Sequence, residues 1–472
     1  MIPVRSLNNR DIGVFGLARS GLFAVQALKA GGARVFAWDE SEQPRSDAAA
    51  QGVHVAPFAS WPWSRIKSLV LSPGVALTHP SPHEVAIAAR GAGAEIIGDI
   101  ELFAREIRPD AARAGRAPVI AVTGTNGKST TVALVGHILS SCGFQAEIGG
   151  NTGKPVLDLA PPNARVIYVL EISSYQIDLA PGLIPDVAVL TNITPDHIER
   201  HGSLANYAAV KARLLEQASP DGCVVIGIDD ANSAAIHTRL SARRGTSGVP
   251  VSVGKVLGRG IFAVDGALYD AWGNRASKVM ELGVAAHLPG AHNWQNAALA
   301  YAAVRPFVKD SRAIASAIAS FPGLAHRIED VGRVGKVRFI NDSKATNADA
   351  AARALACFSD IFWIAGGRPK EGGIDSLLQY APRVRKAYLI GEAAEMFART
   401  LSGHAPCEIL GTLEDAIAAA FADASRSGVA APFVLLSPAC ASFDQFRDFE
   451  ERGDRFRALA AELAGTAQRE AS

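Results

Sequence analysis

The stretch VIAVTGTNGKSTTVALVGHIL, Val119 to Leu139, restricts the possible folds more than any other part of the chain. An apolar run of strand length meets a glycine turn and then a helical pattern, with a lysine and hydroxyls at the joint. Glycines let successive backbone N–H groups point inward at phosphate oxygens, and the helix N-terminus adds partial positive charge. Lys128 can reach terminal phosphates, and a hydroxyl at Ser129 or Thr130 can hold magnesium. A nucleoside triphosphate site is therefore expected over Gly124, Thr125, Asn126, Gly127, Lys128, Ser129 and Thr130. The strict GxxxxGK[ST] pattern would need glycine where this chain has Val122, so a glycine turn capped by Thr or Ser is the alternative.

The same alternation of strand and helix signals runs from IGVFG and GLFAVQALKAGG to FVLLSPA near the end, which predicts an α/β protein of parallel sheets covered by helices. At 472 residues one core does not suffice, and about three domains are expected. The polar seam Ile107 to Pro118 and the seam Phe321 to Arg327 divide the chain into 1–110, 111–323 and 324–472. Net charge is +1 with 20% charged residues, which leaves no basic field for nucleic acid. No apolar run reaches the roughly 18 to 20 residues of a membrane span, and MIPVRSLNNRDIGVFG reads as a strand, not a signal peptide. Five scattered cysteines without a CxxC pair fit reduced, mostly buried thiols in the cytoplasm.

GVFGLARSG lies at a second strand-to-helix turn, with Asp39 ending the next strand about where a dinucleotide-binding acid would sit. Its glycines, Gly13, Gly16 and Gly21, do not fit GxGxxG. A tight turn packing a helix and a nucleotide-diphosphate sugar at the helix N-terminus both stay open. VIYVLEISSYQID is a buried strand ending in Glu171, a hard oxygen donor suited to magnesium beside a phosphate loop, although a turn glutamate would read the same. His197 and His201 are four apart, but Ile198 stands where HExxH needs glutamate, which argues against a zinc protease. Lys211, on the helix NYAAVKARLLEQA, would in isolation be a solvated residue.

In order along the chain, TGTNGKST, GGNTG, LEISSYQID, TNITPDHIERHG, NYAAVKAR and LPGAHNWQNAALA resemble the Mur ligase family of ATP-dependent amide ligases. INDSKATN, GGRPKEGG and LLSPACASFDQFRDFEERG look like its D-glutamate-adding branch. The resemblance implies a Rossmann-like N-terminal domain for a UDP substrate, a central P-loop ATPase-type domain and a Rossmann-like C-terminal domain for the amino acid. It implies ATP, two magnesium ions, UDP-N-acetylmuramoyl-L-alanine and D-glutamate as ligands of a monomer.

By the same resemblance Lys128 and Ser129 hold phosphates and magnesium, Glu171 ligates magnesium, and His197 with a carbamylated Lys211 serves a second ion. Asn151 contacts the sugar-peptide, Asn293 and Asn296 the adenine and ribose side, and Arg327 with Asp342 clamps the nucleotide. Lys344 and Thr346 meet phosphate and D-glutamate, while Lys370, Ser442 and Phe449 form the amino acid's carboxylate pocket. Arg19, Ser20, Asp39, Ser72 and Gly74 sit toward the uridine diphosphate end. Thr346 with Asp349, and Ser442 with Gln445, also read as capping boxes before helices. The implied chemistry activates a carboxylate as an acyl phosphate, with the C-terminal domain closing over ATP. A regulatory P-loop ATPase is the rival from another class.

Overall fold

The computed structural model describes residues 1–107, 117–242, 248–273, 275–369 and 372–470. Most of the first seam, 108–116, therefore lies outside the described residues. Three sheets carry the described residues. The first is parallel, in the order Arg34–Trp38, Asp11–Phe15, Ile66–Leu71, Glu95–Ile97. The second has nine strands. Gln145–Gly150, Val166–Glu171, Val119–Thr123, Val187–Leu190, Cys223–Gly227, Gly248–Val253 and Gly260–Val264 run parallel, and Ala267–Ala271 and Ser277–Glu281 extend the edge antiparallel. The third runs Glu329–Val334, Val337–Asn341, Phe433–Leu436, Ile361–Gly366, Val384–Ile390, Cys407–Gly411, parallel except for its first pair.

Val119–Thr123, Val166–Glu171 and Val187–Leu190 are buried at every position. Helices cover both faces of a parallel sheet, so such strands are written as unbroken apolar runs. After Val119–Thr123 the chain turns to one side for its next two strands and to the other for Val187–Leu190. That reversal opens a crevice at the strands' carboxyl ends, the ligand position of open α/β sheets.

The chain packs as two compact units, 1–284 with 293–320, and 285–292 with 321–472. Within the first unit the two sheets share one core, which runs from Val14 and Leu28 to Ala121 and Leu170. The Ile2 N–H also donates to the Leu157 carbonyl at 2.7 Å. The second unit has its own core on the two faces of its sheet, around Trp363 and Leu389 and around Phe339 and Phe456.

Two local expectations are corrected. The helix Ala348–Cys357 is capped by Asn347, whose side chain accepts the Ala350 N–H, so the cap sits one residue after Thr346. At Ser442 the backbone carbonyl, not the hydroxyl, accepts from Gln445 and Phe446, which makes a turn; the helix begins at Phe449. Of the five free cysteines only Cys440 is buried and the other four are half-buried. Among the described residues no helix is long and apolar enough to cross a membrane.

Candidate active site

The phosphate loop leaves Val119–Thr123 at the crevice and runs into the helix Lys128–Ser141. Gly124 (φ 145°) and Gly127 (φ 83°) both use backbone that side chains rarely adopt. A Cβ at Gly124 would overlap the Thr191 hydroxyl, and one at Gly127 the Asn296 amide oxygen. Gly124 thus supplies the close approach that the missing glycine at 122 does not; Val122 stays in the strand.

A strap from the neighbouring strand holds the loop. The Thr125 N–H donates to the Asn192 carbonyl at 2.8 Å and the Asn126 N–H to Asn192 Oδ1 at 3.0 Å. Thr191 Oγ1 donates to the Asn126 carbonyl at 2.6 Å. Thr125 Oγ1 donates to the Thr194 carbonyl, accepts the Thr194 N–H and meets the Tyr207 hydroxyl at 3.2 Å. The sequence reading missed this strap, although TNIT directly after an apolar strand was its visible signal. Asn296 faces the loop, accepting from Thr131 at 3.4 Å and donating to Asn293 at 3.2 Å. Thr130 lies in the helix's first turn.

Strand register sets Glu171 opposite Val122, beside the loop. Its carboxylate is 2% exposed and accepts from Asn151 Nδ2 at 3.0 Å and from Thr152 Oγ1. Burial alone would raise its pKa, but the charge on Lys128 and hydrogen bonds from Thr152, Ser129 and Asn151 outweigh it and hold it below the ordinary carboxylate value. The amide nitrogen of Asn151 is therefore engaged with Glu171. Lys128 Nζ donates to the Gly124 and Thr125 carbonyls at 3.0 and 2.8 Å.

Lys211 is 1% exposed, contrary to the solvated residue its sequence suggests in isolation. Its nitrogen donates to the Gly124 carbonyl at 2.8 Å and lies 4.5 Å from the centre of the Tyr207 ring. Burial, and then the charge on Lys128, push its pKa well below a lysine's usual value, against the pull of Asp196 and Glu171. The lowered pKa enlarges the fraction held as the neutral amine, the form that adds carbon dioxide. His197 has left-handed backbone (φ 54°), a half-exposed ring 3.5 Å from Asp196 Oδ2, and the Tyr175 ring 5.2 Å away. His201 turns inward to Ser174 Oγ at 2.9 Å and stacks on Tyr175. The histidine pair is thus split between two environments.

Among the described residues no three His, Cys, Asp or Glu gather to hold a metal. The ionised Glu171 beside the Ser129 hydroxyl nevertheless fits one hard cation, and a carboxylated Lys211 would add oxygen donors at the loop.

At the N-terminal turn Asp39 accepts the Leu17 and Ser41 N–H groups at 2.6 and 2.8 Å, so its carboxylate braces the turn. Arg19 and Ser20 open the helix Arg19–Ala30, which has no side-chain cap. A Cβ at Gly16 would overlap Ser72. Arg200, which the sequence reading passed over, donates to the Gly74 and Val75 carbonyls at 2.7 and 2.9 Å and lies 4.7 Å from the Tyr175 ring centre. The Ser72–Gly74 turn and the His197 segment are thereby tied together.

In the second unit Asp342 follows Val337–Asn341 and accepts from Ser437 Oγ at 2.8 Å and the Ile328 N–H at 3.2 Å. Arg327 acts on it as a nearby positive charge. Lys344 Nζ lies 3.5 Å from the centre of the Phe449 ring. The Thr346 N–H donates to the Lys344 carbonyl at 2.8 Å, and Ser442 is 2% exposed. Lys370 lies outside the described residues.

Residues 122–304 match the Mur ligase middle domain, and residues 326–440 match the Mur ligase glutamate ligase domain. The chain is 52% identical, over 97% of each chain, to the UDP-N-acetylmuramoylalanine--D-glutamate ligase of Caulobacter vibrioides. The protein of the same name from Phenylobacterium zucineum is 52% identical over 98% of each chain. Among solved structures, UDP-N-acetylmuramate-alanine ligase from Thermotoga maritima superposes with a TM-score of 0.58 at 17% identity, covering 96% of this chain and 99% of that one. A pseudomurein peptide ligase type C from Methanothermus fervidus gives 0.54 at 16%, covering 96% and 100%. Those two share the fold. With relatives half identical over nearly its full length and two matching domains around the phosphate loop and the C-terminal sheet, the chain belongs to the Mur ligase family.

Proposed function

We propose that the chain is an ATP-dependent amide ligase of cell-wall precursor synthesis that adds D-glutamate to UDP-N-acetylmuramoyl-L-alanine, acting as a cytoplasmic monomer. The observation that carries the carboxylate-activating chemistry is the joined set of Lys128, Ser129, ionised Glu171 and buried Lys211 around one phosphate loop. The choice of substrates is supported by the names of the half-identical relatives.

An oxygen of the L-alanine carboxylate attacks the γ-phosphorus of ATP, and the bond to the ADP oxygen breaks with its electron pair leaving on ADP. Lys128 exchanges its two loop carbonyls for phosphate oxygens and offsets their charge. Magnesium, when bound, would neutralise phosphate charge as a Lewis acid, held by Ser129 and Glu171, with His197 and carboxylated Lys211 serving a second ion. The acyl phosphate is then attacked at its carbonyl carbon by the amine of D-glutamate. The tetrahedral adduct collapses to the amide and releases inorganic phosphate, and the amine's proton passes to solvent or a nearby base. Lys344 and Thr346 meet phosphate and the amino acid, Lys370, Ser442 and Phe449 receive the amino acid's carboxylates, Arg327 and Asp342 the nucleotide, and Arg19, Ser20, Asp39, Ser72 and Gly74 the UDP end.

The test is phosphate release from ATP with UDP-N-acetylmuramoyl-L-alanine, magnesium and bicarbonate, offering D-glutamate, L-glutamate, meso-diaminopimelate or no amino acid. Release with D-glutamate alone is expected. Release with another amine would move the specificity within the family, and release without any amine would favour a regulatory ATPase.

A further inference from the structure

Arg452, in the first turn of the helix Phe449–Glu470, is 1% exposed. Its guanidinium reaches two loops that leave adjacent parallel strands at their carboxyl ends. Nε donates to Ser343 Oγ at 3.0 Å, and Nη2 to the Ser343 carbonyl at 2.8 Å and the Cys440 carbonyl at 3.1 Å. Nη1 points at the Ala441 carbonyl at 3.5 Å. Ser343 Oγ in turn donates to the Phe449 carbonyl at 2.8 Å, which closes the circuit back to the helix. The partners are a hydroxyl and carbonyls. The Cys440 thiol first, then Asp444 and Asp342, also act on the charge, and among the described residues neither aspartate is ion-paired to it.

Burying a cation among neutral acceptors is costly, and an apolar side chain of similar size would fill the space more favourably. Burial lowers the guanidinium pKa only to about 10, so it stays charged at neutral pH. What the charge holds is specific. The Ser343 turn carries Lys344, and the Cys440 loop carries Ser442. Gly367 is shaped to the same cluster, since a Cβ there would overlap the Ala441 carbonyl and crowd Arg452. Ala439 takes left-handed backbone (φ 57°) to bring the loop round.

We propose that Arg452 is a positioning residue for the amine substrate: its fork locks the Ser343–Lys344 turn to the Cys440–Ser442 loop, so that both present their groups to the substrate's carboxylates. The role rests on the function proposed above and concerns the amino acid and, through Lys344, the phosphate it displaces, while binding of the nucleotide and the sugar-peptide is left to other residues. A lysine cannot replace it, because one ammonium cannot span acceptors on two loops with fixed geometry.

The experiment measures kcat and KM for all three substrates in the full-length enzyme carrying Arg452→Met, Arg452→Lys or Ser343→Ala, with thermal unfolding alongside. Arg452→Met is expected to raise KM for D-glutamate by at least about tenfold while KM for ATP and for the sugar-peptide stays within about twofold. Arg452→Lys should remain impaired in the same direction, and Ser343→Ala, which removes one acceptor and keeps the core, should show a smaller rise of the same single constant. If Arg452→Met does not fold, the other two variants decide. Three constants rising together with a lowered unfolding temperature, or none changing, would overturn the proposal. Should the wild type use a different amino acid, the substrate reading fails while Arg452 is judged on that amino acid's KM; ATP hydrolysis independent of any amine would end both.

Discussion

Replacing Asp342 by asparagine should make the second unit more stable at neutral pH and less able to use ATP. Asp342 is 6% exposed, with two hydrogen-bond donors, Ser437 Oγ and the Ile328 N–H. Burial pushes its pKa from an aspartate's 3.8 up to about 7, in spite of those donors and the charges on Arg327 and Arg353. Below the unfolded value both states hold the proton and the group contributes nothing. Between the two values the unfolded chain releases its proton while the folded one keeps it, so stability falls as pH rises and is lowest above about 7. A gap of about three pH units at ~1.4 kcal/mol each puts the full penalty near 4 kcal/mol, with roughly 1.5 of it already present at about pH 5. Asparagine keeps the shape. Its oxygen can accept the Ile328 N–H while its nitrogen donates to Ser437 Oγ, which can turn to accept. The variant should therefore gain about 2 to 3 kcal/mol over the wild type on moving from about pH 5 to about pH 8. Urea unfolding, read by pulsed hydrogen exchange of the strand Val337–Asn341, isolates this unit, and phosphate release at varied ATP reads the lost function. A wild-type-to-variant difference that is the same at both pH values would refute the assigned protonation.

Gly124→Ala forces a side chain onto backbone at φ 145° and into Thr191, strain of about 1–3 kcal/mol before the overlap. Its kcat/KM for ATP should drop at least about tenfold, and normal ATP kinetics would show that the loop has other freedom. Lys211→Met should lower phosphate transfer by about 100-fold or more and lose a carbamate carbon signal that the wild type shows with 13C-bicarbonate; an active variant, or a wild type without that signal, would contradict the reading of Lys211. Arg200→Ala removes two charge-assisted hydrogen bonds to the Gly74 turn, each worth about 1.5–3 kcal/mol. KM for the sugar-peptide should rise about tenfold or more with KM for ATP unchanged, and the reverse pattern would sever the proposed link.

Legibility in this chain follows distance along it. The strands of the central sheet are buried on both faces, so each is an apolar run that declares itself, and the phosphate loop is readable because glycines, lysine and hydroxyls are contiguous from Gly124 to Thr130. The strap from Thr191 to Thr194 is as close to that loop in space as the loop's own residues, but only strand order brings it there. Asn347 and Thr346 are neighbouring residues of comparable capping ability, so the choice between them is made by where the helix Ala348–Cys357 meets its sheet. Lys211 and Arg452 are the sharper cases. Both sit in charged, helical sequence where a cation ordinarily faces water, and both are 1% exposed. One is drawn in by the Gly124 carbonyl and the other by carbonyls of Ser343 and Cys440, backbone groups that carry no residue signature. Buried cations satisfied by backbone oxygen are thus invisible to motif and periodicity alike, and in this fold both of them sit beside the loops that carry the proposed chemistry.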